Sequence, residues 1–157
     1  MDKDNLIVSK TDMKGRITYG NMHFIKMSQY SEQELLGQPH NILRHQDMPK
    51  IVFKLLWERI KNKQVINAYV KNRTKDGGFY WVFANVTASV DKDNNIIGYY
   101  SVRRKPSQKG LETVKDLYKT LLDAESTGGI ENSAKLLEIT LTNRGVDYDE
   151  FIINLQK

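Results

Sequence analysis

The hydrophobic positions of this chain change period along its length, and the changes mark its elements. Residues 6–8 and 16–19 alternate around a turn at 11–15, where Asp12 and Gly15 supply reversal chemistry, so the chain opens on a β-hairpin. Asn21 caps a short helix carrying Phe24, Ile25 and Met27. Ser31 and Glu34 have the spacing of a capping box ahead of Leu35 and Leu36, and Gly37 ends that second helix. From Pro49 onward Ile51, Val52, Leu55, Leu56 and Ile60 recur at helical spacing, with Phe53 and Trp57 on an adjoining stripe. The period then drops to two. Over residues 65–75, Ile66, Ala68, Val70 and Asn72 fall on one face and Asn67, Tyr69, Lys71 and Arg73 on the other. Asp76-Gly77-Gly78 turns the chain into a long strand at 79–90, and 91–95 turns it again into 96–105. The order β-β-α-α-α-β-β-β predicts a five-stranded antiparallel sheet with short helices on one face, an α+β class fold.

Pro106 and Ser107 punctuate the chain, and helical periodicity resumes beyond them. Leu111, Val114, Leu117, Tyr118, Leu121 and Leu122 trace one helix, and 126–129 reads as a break. A second helix spans 134–141 with Gly145 as its stop, and Asp147-x-x-Glu150 opens a third at 151–155. The expected organisation is a domain at 1–105 followed by a C-terminal helical extension at 106–157. The extension's apolar stripe suits packing on its own sheet, and equally a homodimer or partner surface.

Apolar content of 39% with 27% charged residues in 157 residues is enough for a real core without covalent staples. The chain has no cysteine, which excludes disulfides, thiolate metal sites, cysteine nucleophiles and cysteinyl cofactor adducts. The start MDKDNLIVSK is acidic where a signal peptide is basic, and no stretch reaches the ~18 apolar residues of a membrane span. A cytoplasmic protein is expected. Lys and Arg exceed Asp and Glu by five. Much of the excess sits at 71, 73 and 75 and at Arg103, Arg104 and Lys105, which read as solvated strand ends; no nucleic-acid partner is expected.

The segment 39–49, PHNILRHQDMP, holds two histidines, an arginine and an aspartate with little periodicity, the signature of a site rather than a core. His40, His45 and Asp47 lack the fixed spacing of a metal-binding motif, so no metal is expected. No nucleophile elbow or Gly-rich phosphate loop is present, and no catalytic set can be assembled; a non-enzyme is expected. What remains is Arg44, His45 and Asp47, the aromatic pair Phe53 and Trp57, and Asn72, which together could enclose a planar ligand. Core packing for the aromatics, and an ion pair with a helix cap for Arg44 and Asp47, stay open alongside that reading.

An ordered series of motifs carries a family resemblance: Asn21-x-x-Phe24, Ser28-x-Tyr30-Ser31-x-x-Glu34-Leu35-x-Gly37-x-Pro39-His40-Asn41, Arg44-His45-x-Asp47-Met48-Pro49, Val70-Lys71-Asn72-Arg73, Tyr80-Trp81-Val82 and Gly98-Tyr99-x-Ser101-Val102-Arg103. Over about residues 5–105 the chain resembles the PAS sensor of the Aer aerotaxis receptor family, and its length makes it most like the stand-alone CetB-type PAS proteins of bipartite energy-taxis systems. The resemblance implies a PAS fold and a non-covalently held FAD whose redox state reports on respiratory electron flow. It makes Asn21, Arg44, His45, Asp47, Phe53, Trp57 and Asn72 the FAD-pocket candidates, with Phe53 and Trp57 as ring walls, Asn72 at the ring's polar edge and the 44–47 segment as a charged clamp. It also implies signalling in trans to a membrane-bound partner of the HAMP and methyl-accepting type, with recruitment to the inner membrane through that partner. Gln46, Ile66 and Ala68 depart from the family pattern, which has Pro, Trp and Gly there. The alternatives are a cofactor-free PAS interaction module, or a haem or small-ligand sensor with His40 or His45 as axial ligand.

Overall fold

Residues 4–157 are described by the structure, a computed structural model; the first three residues of the expected 1–105 unit lie outside the described ones. The opening hairpin is β1 (Ile7–Thr11) and β2 (Ile17–Gly20), paired antiparallel. β1 runs past Val8 to Thr11 because a second partner, the last strand, pairs with it as far as Thr11. Asn21 caps α1 (Met22–Ser28), accepting from the Phe24 N–H, and Ser31 and Glu34 complete a reciprocal capping box on α2 (Glu32–Leu35). A 3-10 turn (His40–Leu43) and a loop lead to α3 (Lys50–Lys61), with Pro49 at its cap.

The meander is β3 (Ile66–Arg73), β4 (Phe79–Val90) and β5 (Ile96–Arg104). The sheet order is β2-β1-β5-β4-β3, which places the first hairpin beside the last strand and leaves β3 on an edge. Register puts Ile66, Ala68, Val70 and Asn72 opposite Val86, Ala84, Val82 and Tyr80 on one face, as the alternation predicts. That inner face and α1–α3 enclose the core, with Ile7, Phe24, Leu43, Ile60, Ile66 and Val82 fully buried. The five-stranded antiparallel α+β layout expected from the sequence is the one observed.

The extension forms α4 (Gln108–Arg144) and α5 (Tyr148–Gln156). Only Gly129 leaves the helix, at φ 71 and ψ −166, a region open essentially to glycine alone. The four-residue break read at 126–129 is therefore a single-residue kink. Ser126 and Thr127 stay helical, their hydroxyls donating back to the Asp123 and Ala124 carbonyls. The chain doubles back there, with the Asn132 amide donating to the Ala124 carbonyl.

The extension packs on its own sheet, at the β3 edge. Tyr118 Oη donates to the Tyr69 carbonyl at 2.6 Å and Tyr148 Oη to the Asn67 carbonyl at 2.8 Å. Met48 Sδ accepts from the Lys71 N–H at 3.2 Å. An unpaired edge would template association, and these side chains occupy it. Gly110 lets α4 close in, because a Cβ there would run into the Leu155 carbonyl and the Tyr69 hydroxyl.

Candidate functional site

Two pins hold the 39–49 segment over the inner face. At one end Arg16 and Pro39 form an isolated antiparallel bridge, and the His40 N–H donates to the Gly15 carbonyl at 2.9 Å. At the other, Arg44 bridges Asn72, and Arg73 Nε donates to the Ile42 carbonyl at 3.1 Å. With α3 and the inner faces of β3 to β5, the segment encloses a cavity of about 970 Å3. That lies within the range of small-molecule sites, roughly 300–1,000 Å3.

Five of the seven site residues expected from the sequence line this cavity: Arg44, His45, Phe53, Trp57 and Asn72. The Arg44 guanidinium stacks 4.0 Å from the centre of the Phe53 ring, and Trp57 meets Tyr99 edge-on at 5.4 Å. Asn72 is 4% exposed and brings an amide to the wall. His45 Nδ1 accepts from the Asp47 N–H at 3.0 Å, so in the neutral ring the proton sits on Nε2; burial and the Lys71 charge push the His45 pKa down. Gln46 lines the cavity, whereas Ile66 and Ala68 are buried without reaching it.

The other two lie elsewhere. Asn21 joins β1 to α1: its Oδ1 accepts from the Val8 and Phe24 N–H groups, and its Nδ2 donates to the Leu6 carbonyl. Asp47 faces a smaller cleft of about 330 Å3 with Trp81 and Tyr118. There it accepts from Lys71 Nζ at 2.8 Å, a bond that holds its carboxyl below the usual range. Lys71 in turn sits 4.2 Å from the Phe79 ring centre.

The sequence reading missed a cluster of Ser9, His40 and Arg103, all on the cavity wall. Arg103, expected at a solvated strand end, is 3% exposed. The register explains the error: Arg103 lies opposite Ile7 and Ala84 on the inner face, while its neighbour Arg104 points outward. The parity of Tyr99, Ser101 and Arg103 along β5 is the signal that could have found it. Arg103 Nη2 donates to Ser9 Oγ, Nη1 lies 3.2 Å from His40 Nε2, and the guanidinium lies 5.0 Å from the Phe24 ring centre. Its Nε has no partner, and no carboxylate among the described residues pairs with it. Burial lowers its pKa only to about 10, so it remains a cation at neutral pH. Burial, then the Arg103 charge, pushes His40 down to about 3, leaving a neutral imidazole.

The same architecture recurs in known proteins. A solved light-oxygen-voltage domain studied with a flavin analogue superposes with a TM-score of 0.59 at 21% identity, covering 78% of this chain and 87% of that one. The aerotaxis receptor of Escherichia coli K12 is 42% identical over 118 residues, covering 75% of this chain and 23% of the receptor. The nitrogen fixation regulatory protein of Klebsiella pneumoniae is 26% identical over 125 residues, covering 79% of this chain and 25% of its own length. The chain thus spans about a quarter of the length of these curated relatives. The PAS fold family matches residues 17–103, from the start of β2 to the buried arginine of β5, so the match takes in four of the five strands, the pinned segment and most of the cavity wall, and the chain belongs to the PAS family.

Proposed function

We propose that this PAS domain binds FAD non-covalently in its cavity and reports the redox state of that flavin, in trans, to a membrane-bound chemotaxis signalling protein of the HAMP and methyl-accepting type. The observation that carries the proposal is the convergence of Phe53, Trp57, Asn72, Arg44 and His45 on one cavity of about 970 Å3. The 42% identity to an aerotaxis receptor supports the energy-taxis role. No helix among the described residues is long and apolar enough to cross a membrane.

The residues fit a flavin. Phe53 and Trp57 supply flat apolar walls, Asn72 a donor and an acceptor, and Arg44 and Arg103 positive charge for an anionic ligand. Bound FAD would supply a reversible two-electron couple in which a ring acceptor becomes a donor. Asn72 can match either state by turning its amide. A buried polar group left unmatched costs about 1–3 kcal/mol, enough to bias a two-state element. Because the Asn72 backbone is bridged to Arg44, and Arg44 stacks on Phe53, a readjustment at Asn72 has a route to the pinned segment and through it to α3.

Haem fits less well. His40 Nε2 faces a buried guanidinium and His45 Nδ1 is bonded to the Asp47 N–H. An absorption spectrum of the purified protein, repeated after dithionite and after heat release of any pigment, tests the proposal. A flavin spectrum that bleaches, with FAD in the supernatant, is expected, and Asn72→Ala and Trp57→Ala should each lower FAD occupancy several-fold. A protein that stays colourless after reconstitution with FAD would return the chain to a cofactor-free interaction module, and full occupancy in both variants would sink the pocket assignment.

A further inference from the structure

Among the described residues, the cavity wall carries a buried charge with no paired carboxylate. A buried guanidinium without a counter-ion is costly in a folded protein, and it is retained where something else supplies the negative charge. Among the described residues, Arg103 is such a group. From β1 it meets Ser9, from the 3-10 turn the neutral His40, and from α1 the Phe24 ring. From β4 it feels Tyr80, a phenol kept neutral by burial, with the Asn72 side chain beside its hydroxyl. The single carboxylate lining the cavity, among the described residues, is Glu125, and it is engaged by the backbone N–H groups of Lys50 and Ile51. The other charged side chains lining the cavity, Lys14, Arg44, Lys50, Lys54 and Arg73, are all cations, and His45 beside them is no anion either.

We infer that Arg103, held by Ser9 and His40, is an anion-stabilising subsite of the cavity, and that it takes the negative charge a flavin ring acquires on accepting two electrons and only one proton. This rests on the FAD reading above and adds to it a fixed proton stoichiometry. The oxidised ring gains two electrons from an external reductant, dithionite in the test, and one proton from water. The second proton stays in solvent because the guanidinium already balances the charge. Without that cation, burial favours the neutral, doubly protonated product.

The test is an equilibrium reduction of the FAD-loaded full-length chain against a reference dye between pH 6 and 8. One proton per two electrons gives a midpoint that falls by about 30 mV per pH unit, the tenfold factor for a two-electron couple. Arg103→Gln should double that slope. It should also lose at least tenfold in preference for reduced over oxidised flavin, a midpoint at least about 30 mV lower. Arg103→Lys keeps the charge and should keep the wild-type slope; it also serves as the test if the Gln variant does not fold. A wild-type slope near 60 mV, a Gln variant with unchanged slope and midpoint, or a Lys variant with the doubled slope would each overturn the inference while leaving FAD binding intact. Wild-type protein that takes up no FAD would overturn both readings.

Discussion

At the scale of single residues, the structure separates side chains that bind from side chains that build. Asn21 makes three hydrogen bonds to backbone, to Leu6, Val8 and Phe24, none of them toward the cavity. Replacing it with Ala removes a helix cap, a tie to β1 at Val8 and a tie to Leu6 just before that strand. We expect Asn21→Ala to lower stability by roughly 1–3 kcal/mol in urea unfolding and, on the FAD reading, to leave FAD stoichiometry in the folded protein unchanged. His40 adds a pH dependence whose sign follows from burial. Its folded pKa of about 3 lies below the ordinary 6.5, so between those values the unfolded chain binds the extra proton and stability falls as pH falls. The loss begins near pH 6.5 and approaches about 1.4 kcal/mol per pH unit as the unfolded histidine fills. Asp12, Glu34, Asp47, Asp76 and Asp91, also held below their ordinary values near 4, lose their contributions only at lower pH. His45, lowered as well, shares the upper window. Urea unfolding from pH 6.5 to 5 should therefore show a smaller slope in His40→Gln, by up to one proton; an unchanged slope would place His40 in contact with water.

At the scale of elements, the β3 edge is the feature that the C-terminal helices complete. Tyr118→Phe keeps the ring against Trp81, 6.0 Å between centroids, but leaves the Tyr69 carbonyl without its donor. We expect a loss of about 1–3 kcal/mol in thermal or urea unfolding, with the apolar packing retained. A neutral result would mean that water reaches that carbonyl. Strands and caps were legible because each rests on local chemistry: alternation for Ile66 to Asn72, turn residues at 76–78, and Ser31 with Glu34 as a box. The kink was legible only as a region, because Ser126 and Thr127 favour breaks in isolation but bond back to the helix here. The cavity was half legible. Aromatic spacing on α3 and the density of charge at 44–47 pointed to it, but a residue type does not say which way a loop side chain turns. Asp47 turned outward to Lys71, and Arg103, grouped by composition with its solvated neighbours, turned inward by strand parity.

At the scale of the whole molecule, the cavity and the extension share one carboxylate. Glu125 Oε1 accepts from the Lys50 N–H at 2.8 Å, and Oε2 accepts from the Ile51 N–H at 3.3 Å and from Ser133 Oγ at 2.9 Å. It thereby ties the start of α3 to both arms of α4 across the Gly129 kink, and caps a helix whose N-terminal N–H groups carry partial positive charge. Leu122 and Ile130 on the same two arms line the cavity with it. Anything that repositions the start of α3 must therefore either carry α4 along or break the two bonds from Lys50 and Ile51. On the FAD reading, ligand binding should protect amides near Leu122, Glu125 and Ile130 in hydrogen exchange as well as those of α3, and saturation at a hundred times the dissociation constant should add about 2.7 kcal/mol to global stability. Glu125→Gln keeps the side chain's shape but weakens the charge-assisted cap. It should leave FAD bound, because Phe53, Trp57 and Asn72 are untouched, while reducing the protection that FAD confers on residues 122–133. Protection of α4 that survives this substitution in full would mean that the helix senses the cavity through Leu122 and Ile130 packing alone, and that the carboxylate is only a cap.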